Sequence, residues 1–198
     1  METVWKVLAT LGLVALNGFF VAAEFSAVGA RASHLQEQAQ RSPLARLALR
    51  VKHQLDLYLS SCQLGVTLAS LALGAITEPL VGAMLAPLLH ALKIPAHDLY
   101  VVSFTIALAV STSLHIVIGE QAPKNWAISY SNRILPIIAL PLVAFTYLFY
   151  PAIWLLNAAT NGVLRLTGVK PNLAPHGGLP HTEEELRGLL AQAVASGT

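Results

Sequence analysis

Charged residues are scarce in this sequence. They make up 11% of the 198 residues, whereas an ordinary soluble domain has about 25%, and 55% of the chain is hydrophobic. The net charge of +2 is too small to indicate a nucleic-acid partner. A single cysteine, Cys62, excludes an internal disulfide, and the seven scattered histidines form no Cys/His cluster for zinc. The composition predicts a membrane protein.

Long apolar segments predict an all-α membrane fold. A span needs about 20 apolar helical residues. Four segments are long enough, and three of them are expected to cross the membrane, at about residues 4–30, 55–92 and 98–127. The first is too long for a secretory signal peptide and contains the acid Glu24, so we expect it to remain in the protein.

A fourth apolar segment, at about residues 133–165, has a different character. Prolines interrupt it at Pro136, Pro141 and Pro151. Because a proline every few residues opposes a straight helix, we predict a kinked juxtamembrane helix or hairpin that does not cross fully. Residues 1–170 are then the transmembrane domain.

The loop between the first two spans fixes the predicted orientation. It has one acid, Glu37, and five basic residues: Arg31, Arg41, Arg46, Arg50 and Lys52. Such a loop lies on the cytoplasmic side, so the N-terminus is expected outside and, after three spans, the C-terminus inside. Leu44, Leu47 and Val51 at helical spacing predict short amphipathic helices on the inner membrane face.

Residues 171–198 have the composition of a water-soluble segment. A Pro- and Gly-containing linker precedes Thr182, which with the three following acids forms a capping-box pattern at the start of a helix. The leucines of that helix have nothing in the remaining chain to cover them. We therefore expect the natural protein to continue into a cytoplasmic domain.

The segment GEQAPK closes the third span. Pro123 has no backbone N–H, and with Gly119 nearby it is expected to interrupt the helix and free backbone carbonyls. Glu120 directly follows the glycine, in a position that an amphipathic surface does not explain. Free carbonyls beside a carboxylate are typical components of an ion site.

Two further polar clusters lie within spans. The first span contains Asn17, Glu24 and Ser26. Asn17 and Glu24 share a face of an ideal helix, whereas Ser26 points to the opposite side. Glu24 has two interpretations, as an ion ligand or as an acid solvated near the cytoplasmic headgroups.

The second span contributes a cluster of hydroxyl and amide side chains: Ser60, Ser61, Gln63, Thr67 and Ser70. For Ser70 the alternative is a hydrogen bond to a carbonyl of its own helix. Oxygen ligands of these kinds fit Mg²⁺, Ca²⁺ or Na⁺, and ligand type does not separate magnesium from calcium.

An enzymatic interpretation has little support. Ser113 and His115 are two residues apart and face away from each other on a helix, and no nucleophile-elbow pattern is present. We expect no enzyme.

Four stretches carry a family resemblance: LNGFFVAAEFSA, LGVTLASLALGAITEP, IGEQAPKNWA and HTEEELRGLL. Together they resemble the transmembrane domain of the CorB/CorC and cyclin M (CNNM) magnesium transporters. The resemblance implies a homodimer in the plasma (inner) membrane, with three spans per subunit, short inner helices and a juxtamembrane helix. It also implies magnesium export, with sodium entry proposed as the coupled flux, and a following ATP-binding CBS module that begins in residues 171–198.

The resemblance also assigns roles to residues. The expected metal ligands are Ser26, Ser70, Gly119 and Glu120. The expected gating or supporting residues are Asn17, Glu24, Gly74, Pro123 and Lys124. Mg²⁺ is the transported substrate and Na⁺ the counter-ion, moved by alternating access as helices bend. The alternatives are a magnesium-sensing membrane scaffold that regulates another transporter, and a channel.

Overall fold

The structure is a computed structural model that describes residues 2–91 and 96–167, and every secondary-structure element in those ranges is a helix. The helices are α1 (Glu2–Gly29), α2 (Ala32–Ala39), α3 (Pro43–His53), α4 (Leu55–Ala91), α5 (Ala96–Leu114), a π-helix (His115–Gln121), α6 (Ala122–Ser129), α7 (Ser131–Leu148) and α8 (Tyr150–Leu166). The predicted all-α membrane fold is confirmed. The predicted linker and domain start at 171–198 lie outside the described residues.

The long helices α1, α4 and α5 pack side by side in alternating directions. Asn17 of α1 contacts Ser70 of α4, and three residues later Phe20 packs against Gly65, so these two helices are antiparallel. Helix α5 is antiparallel to α4 in the same way, because Ser103 bonds the Gly82 carbonyl while His115 lies beside Ser70. Helices α1 and α5 therefore run in the same direction.

A ridge of small residues on α4 receives α1. Ser61, Gly65 and Ala69 are all buried. A Cβ atom on Gly65 would lie 2.5 Å from ring atoms of Phe20, which is closer than non-bonded atoms approach. The ridge therefore serves packing within one chain, where the absence of a side chain at Gly65 lets the two helices come together.

Helices α2 and α3 form the loop between α1 and α4, as two short helices as predicted. Ser42 caps α3 by accepting a hydrogen bond from the Ala45 N–H at 3.4 Å, and Pro43 occupies the first turn. The buried side of α3 consists of Ala45, Ala48 and Val51. It packs in the main hydrophobic core with residues of α1, α4 and α7.

Lys52 at the end of α3 joins it to the end of α1. Its ammonium donates hydrogen bonds to the carbonyls of Ala27 at 3.0 Å and Val28 at 2.8 Å. These oxygens lie in the last turn of α1, where backbone acceptors lack helical partners and a positive charge is favourable. Burial lowers the pKa of Lys52, while the two carbonyls stabilise its charged form.

Within the residues that the structure describes, four helices are long and apolar enough to cross a membrane. Judged by length and composition, they are Val4–Gly29, Leu55–Ala83, Val101–Ser129 and Ser131–Leu148. The first three overlap the segments that we expect to cross the membrane. The fourth is α7, in the segment for which we predict a juxtamembrane helix, so the count of three spans stays a prediction.

The contacts of α7 indicate where its two ends lie in the helix bundle. Ser131 at its start packs against Gly29 at the end of α1, and Tyr147 near its end accepts a hydrogen bond of 2.6 Å from Arg50 of α3. Both ends of α7 thus contact the same end of the bundle, where α2 and α3 lie. At Phe149 the chain turns into α8, whose first turn contains Pro151, so this segment is divided into two helices.

Candidate ion site

The π-helix lies where the sequence predicts an interruption. An α-helix would require the N–H of residue 123 to bond the carbonyl of Gly119, and Pro123 has none. The chain changes instead to a wider turn, in which the Ala122 N–H bonds the Val117 carbonyl five residues earlier. The helix is therefore wound differently over His115–Gln121 rather than broken, a feature often found at functional sites.

Asn17 supplies the hydrogen bond that Pro123 cannot. Its side-chain amide nitrogen donates to the Gly119 carbonyl at 2.9 Å, and its amide oxygen accepts from the Ser70 hydroxyl at 3.2 Å. Asn17 is only 1% exposed. One buried side chain thus connects α1, α4 and the π-helix, and brings together three of the residues that the sequence singled out.

His115 is a fourth member of this group, and sequence reasoning missed it. Its Nε2 lies 3.3 Å from the Ser70 hydroxyl. Since that hydroxyl has one proton and donates it to Asn17, Nε2 of His115 is the donor to Ser70. The available signal was spacing, because His115 precedes Gly119 by one helical turn and so shares its face. We refer to Asn17, Ser70, His115 and Gly119 as the amide layer.

The amide layer leaves no room for a side chain at position 119. A Cβ atom on Gly119 would lie 2.9 Å from the His115 ring and 3.2 Å from the Asn17 amide nitrogen. Any larger residue would displace one of these groups. The glycine therefore permits the close approach on which the layer depends.

Two carboxylates lie beyond the layer. Glu24 follows Asn17 by seven residues, about 10 Å along α1, and is half-buried. It is within electrostatic range of Glu120, which follows Gly119 directly and is exposed. Two negative charges in range of each other repel, and a cation near both would relieve that repulsion.

Ser26 is fully buried, but the structure does not place it in the amide layer. Its hydroxyl donates to the Ala23 carbonyl of its own helix at 3.2 Å. It is nine residues from Asn17, about 13 Å along α1, and therefore near the level of Glu24. Its oxygen keeps acceptor capacity, so its assignment as a ligand stays a prediction.

Two of the remaining predicted residues, Pro123 and Lys124, contact α1, and Gly74 does not. Pro123 packs against Gly18, where a Cβ atom would lie 2.9 Å from the proline ring. The Lys124 ammonium lies 4.7 Å from the ring centroid of Phe25, a cation–π contact. Gly74 is within the continuous helix α4 and has open space around it.

The available ligands are hard oxygen donors. They are two carboxylates, serine hydroxyls, an amide oxygen and a backbone carbonyl. Across residues 2–91 and 96–167, no group of three or more His, Cys, Asp or Glu side chains lies close enough together to hold a metal ion. This set of donors fits Mg²⁺, Ca²⁺ or Na⁺.

Comparison with known proteins identifies the family. The sequence profile described as the cyclin M transmembrane N-terminal domain matches residues 8–198. The chain belongs to this CNNM family. It is a multi-pass membrane protein, and the membership suggests a role related to divalent-cation transport.

Relatives of this CNNM domain occur in Bacillus subtilis and in Synechocystis. UPF0053 protein YhdT of Bacillus subtilis (strain 168) is 41% identical over 186 residues, which are 93% of this chain and 40% of YhdT. UPF0053 protein YrkA of the same organism is 36% identical over 198 residues, 100% of this chain and 45% of YrkA. UPF0053 protein sll0260 of Synechocystis is 33% identical over 186 residues, 93% of this chain and 41% of sll0260. The chain spans less than half the length of these relatives.

Proposed function

We propose that this chain is the membrane domain of a magnesium transporter that exports Mg²⁺ by alternating access, with Na⁺ entry as the coupled flux. The observation that carries the proposal is the buried amide layer beside a pair of carboxylates. The polar groups of the layer satisfy one another, whereas the two carboxylates repel each other in a membrane segment, where a nearby cation would stabilise both.

The carboxylates provide the charge for binding. Mg²⁺ gives up its water reluctantly and needs near-octahedral oxygens in exchange. Glu120, with Glu24 in electrostatic range, offsets the charge of the ion. The Gly119 carbonyl and the Ser70 hydroxyl, at the amide layer, and the Ser26 hydroxyl, near Glu24, replace part of its water at successive positions along the path.

Binding competes with the hydrogen bonds of the amide layer. The Gly119 carbonyl now accepts from Asn17, and the Ser70 hydroxyl donates to the same side chain. An ion that takes these oxygens as ligands weakens or displaces those bonds. Asn17 therefore couples ion binding to the relative positions of α1, α4 and the π-helix, and acts as a gating residue rather than a ligand.

The π-helix provides a place where the third span can change shape. Its wider turns lie at His115–Gln121, between α5 and α6. A return of this segment to α-helical winding would rotate Gly119 and Glu120 relative to α1. We propose that this rotation, with Pro123 and Gly74 as bending points, exposes the site to one side of the membrane and then to the other.

The remaining parts of the proposal follow the charge pattern and the family. The basic loop of α2 and α3 faces the cytoplasm, with the N-terminus outside and the C-terminus inside, in the plasma membrane. Two copies form a homodimer. A CBS module follows the membrane domain and binds ATP, and Lys124 anchors the third span at the inner face.

The test is calorimetric titration of the purified protein with Mg²⁺, Ca²⁺ and Na⁺. Glu120→Gln should weaken Mg²⁺ binding at least about tenfold, a loss of about 1.4 kcal/mol, because it removes a negative ligand. The matched control is Glu37→Gln, since Glu37 is an exposed acid on α2. Equal affinities in the wild type and Glu120→Gln would contradict the site.

Transport is then measured in proteoliposomes. A transporter moves Mg²⁺ in the wild type and not in Glu120→Gln, and its flux depends on a sodium gradient. Saturable binding without flux would instead favour the magnesium-sensing scaffold. Fast flux that is independent of any counter-ion would indicate a channel.

A further inference from the structure

Two arginines lie side by side where α1 ends and α7 begins. The backbone N–H of Arg31 donates a hydrogen bond of 2.8 Å to the side-chain oxygen of Asn132, although 101 positions separate the two residues. Arg133 directly follows Asn132, so this bond brings the backbones of Arg31 and Arg133 together, and both arginines are exposed. We refer to Arg31, Asn132 and Arg133 as the arginine corner.

The positive charge of the arginine corner is not balanced by the protein around it. No acid lies in the first turn of α2, which follows Arg31, or in the first turn of α7, which contains Arg133. Within residues 2–91 and 96–167, neither guanidinium group forms a hydrogen bond or an ion pair with another residue. Lys52 adds a third positive charge, because its ammonium bonds the carbonyls of Ala27 and Val28 near the end of α1. Since like charges repel, an anion at this corner would be stabilised by all three.

The face of α7 that begins at Arg133 is apolar and exposed. Ile137 and Leu140 follow Arg133 by four and seven residues, which is the spacing of a single helix face, and they are 69% and 58% exposed. The opposite face of α7 is buried in the bundle. Tyr130, whose carbonyl accepts a hydrogen bond from the Arg133 N–H, is also exposed, and tyrosine is enriched at the level of lipid headgroups.

A positive end joined to an exposed apolar face matches an anionic phospholipid. A guanidinium group binds phosphate through paired hydrogen bonds, and basic residues at the end of a membrane segment attract anionic headgroups. The apolar face of α7 gives the acyl chains a surface next to the headgroup. A free phosphate ion has no apolar part to place there.

We propose that the arginine corner binds the phosphate of an anionic phospholipid, with an acyl chain along Ile137 and Leu140. Because Arg31 and Arg133 belong to two distant parts of the sequence, the bound lipid holds the start of α7 against the end of α1. The inference goes beyond the proposed function and does not depend on it, since it requires only that the chain is a membrane protein.

The test is native mass spectrometry of the full chain in detergent, titrated with dioleoylphosphatidylglycerol or dioleoylphosphatidylcholine. The two lipids have the same acyl chains and differ in headgroup charge. The test variant combines Arg31→Gln with Arg133→Gln. The matched control combines Arg41→Gln with Arg165→Gln, which removes two other exposed arginines and changes the net charge equally. Circular dichroism checks the helix content of each variant.

The wild type should bind phosphatidylglycerol at least about tenfold more tightly than phosphatidylcholine, because each basic residue near an anionic headgroup contributes about fivefold to affinity. The test variant should lose most of this preference, whereas the control should stay within about twofold of the wild type. Equal affinities of the wild type for the two lipids, or equal losses in the two double variants, would overturn the proposal.

The acyl-chain contact has its own test. Ile137→Ser combined with Leu140→Ser should weaken phosphatidylglycerol binding several-fold, and Leu155→Ser combined with Val163→Ser is the control, since these two residues are exposed to a similar extent on α8. Soluble sn-glycerol 3-phosphate should not displace the lipid at an equal concentration. Displacement by this compound, or lipid binding that is unchanged by the Ile137 and Leu140 substitutions, would show a site for free phosphate anions and overturn the lipid assignment.

Discussion

The amide nitrogen of Asn17 and the carbonyl oxygen of Gly119 lie 2.9 Å apart although 102 sequence positions separate the two residues. This hydrogen bond occupies the acceptor that Pro123 leaves without its α-helical donor. It holds α1 against the π-helix inside an apolar region, where an unpaired carbonyl is costly.

The first prediction concerns this bond. Asn17→Leu keeps the side-chain size but removes both hydrogen bonds, and should destabilise the protein by about 1 to 2 kcal/mol. The measurement is the thermal unfolding midpoint in detergent. Asn125→Leu is the control, because Asn125 is exposed on α6. Equal midpoints for the two variants would show that the bond contributes little to stability.

The second prediction concerns the contact of α1 with α4. Gly65→Ala places a methyl group in the space of the Phe20 ring and should destabilise the bundle by about 1 to 3 kcal/mol. A second change, Phe20→Leu, should recover part of the loss, because it removes the ring that clashes. The same unfolding measurement applies to both.

Gly12→Ala is the control for Gly65→Ala. Gly12 lies in the first span, and no atom is within 4 Å of the place that an alanine methyl group would take there. This variant should be as stable as the wild type or slightly more so, since alanine favours helix more than glycine does. A loss as large as that of Gly65→Ala would assign the effect to helix propensity or backbone freedom instead of the clash.

The third prediction separates two effects of the Glu24 carboxylate: its repulsion from Glu120 without Mg²⁺, and its attraction for Mg²⁺ when the ion is bound. Without Mg²⁺, Glu24→Gln should leave the unfolding midpoint equal to or above that of the wild type, because it removes repulsion from Glu120. With saturating Mg²⁺, the unfolding midpoint of the wild type should lie above that of Glu24→Gln, because the wild type gains more stability from ligand binding. A Glu24→Gln variant that is destabilised to the same extent with and without Mg²⁺ would indicate a structural role for Glu24.

The fourth prediction concerns Lys52 and pH. Burial lowers the pKa of Lys52 in the folded protein below the ordinary value of 10.5. Between these two pKa values the unfolded chain binds more protons than the folded one, so this group adds stability as pH rises. The wild type should therefore gain stability relative to Lys52→Met as pH rises from neutral towards 10.5.

Lys52→Arg is the control for the pH effect. Arginine stays charged throughout this range, so the stability of this variant relative to Lys52→Met should not change with pH. At neutral pH, Lys52→Met should also lose about 1 kcal/mol, because the last turn of α1 loses the cation bonded to Ala27 and Val28. A difference between Lys52→Met and the wild type that stays constant from neutral to alkaline pH would contradict the lowered pKa.

Much of the fold followed from local patterns. The apolar segments predicted the helices that contain Asn17, Ser70 and Gly119, and the spacing of Leu44, Leu47 and Val51 predicted short helices where α2 and α3 lie. Pro123 predicted an interruption of the third span. These are properties of the chain over one or two helical turns, where hydrophobicity and the absence of an N–H act directly on the backbone.

The sequence could not decide which side chains meet. The sequence placed Asn17 and Glu24 on one face of α1. It did not predict that Asn17 would bond Gly119 and Ser70. It treated His115 only as a neighbour of Ser113, whereas its contact is with Ser70 on another helix.

The sequence by itself determined that this chain is an all-α membrane protein, where its helices run, and which residue types are available for an oxygen-rich ion site. Only the tertiary structure decided that Asn17 replaces the donor missing at Pro123 and that Phe20 fills the space at Gly65. Helix periodicity fixes the face on which a residue lies. The partner on the next helix depends on how closely the two backbones approach, on their relative direction and on the winding of the π-helix, and these arise only when the whole bundle packs.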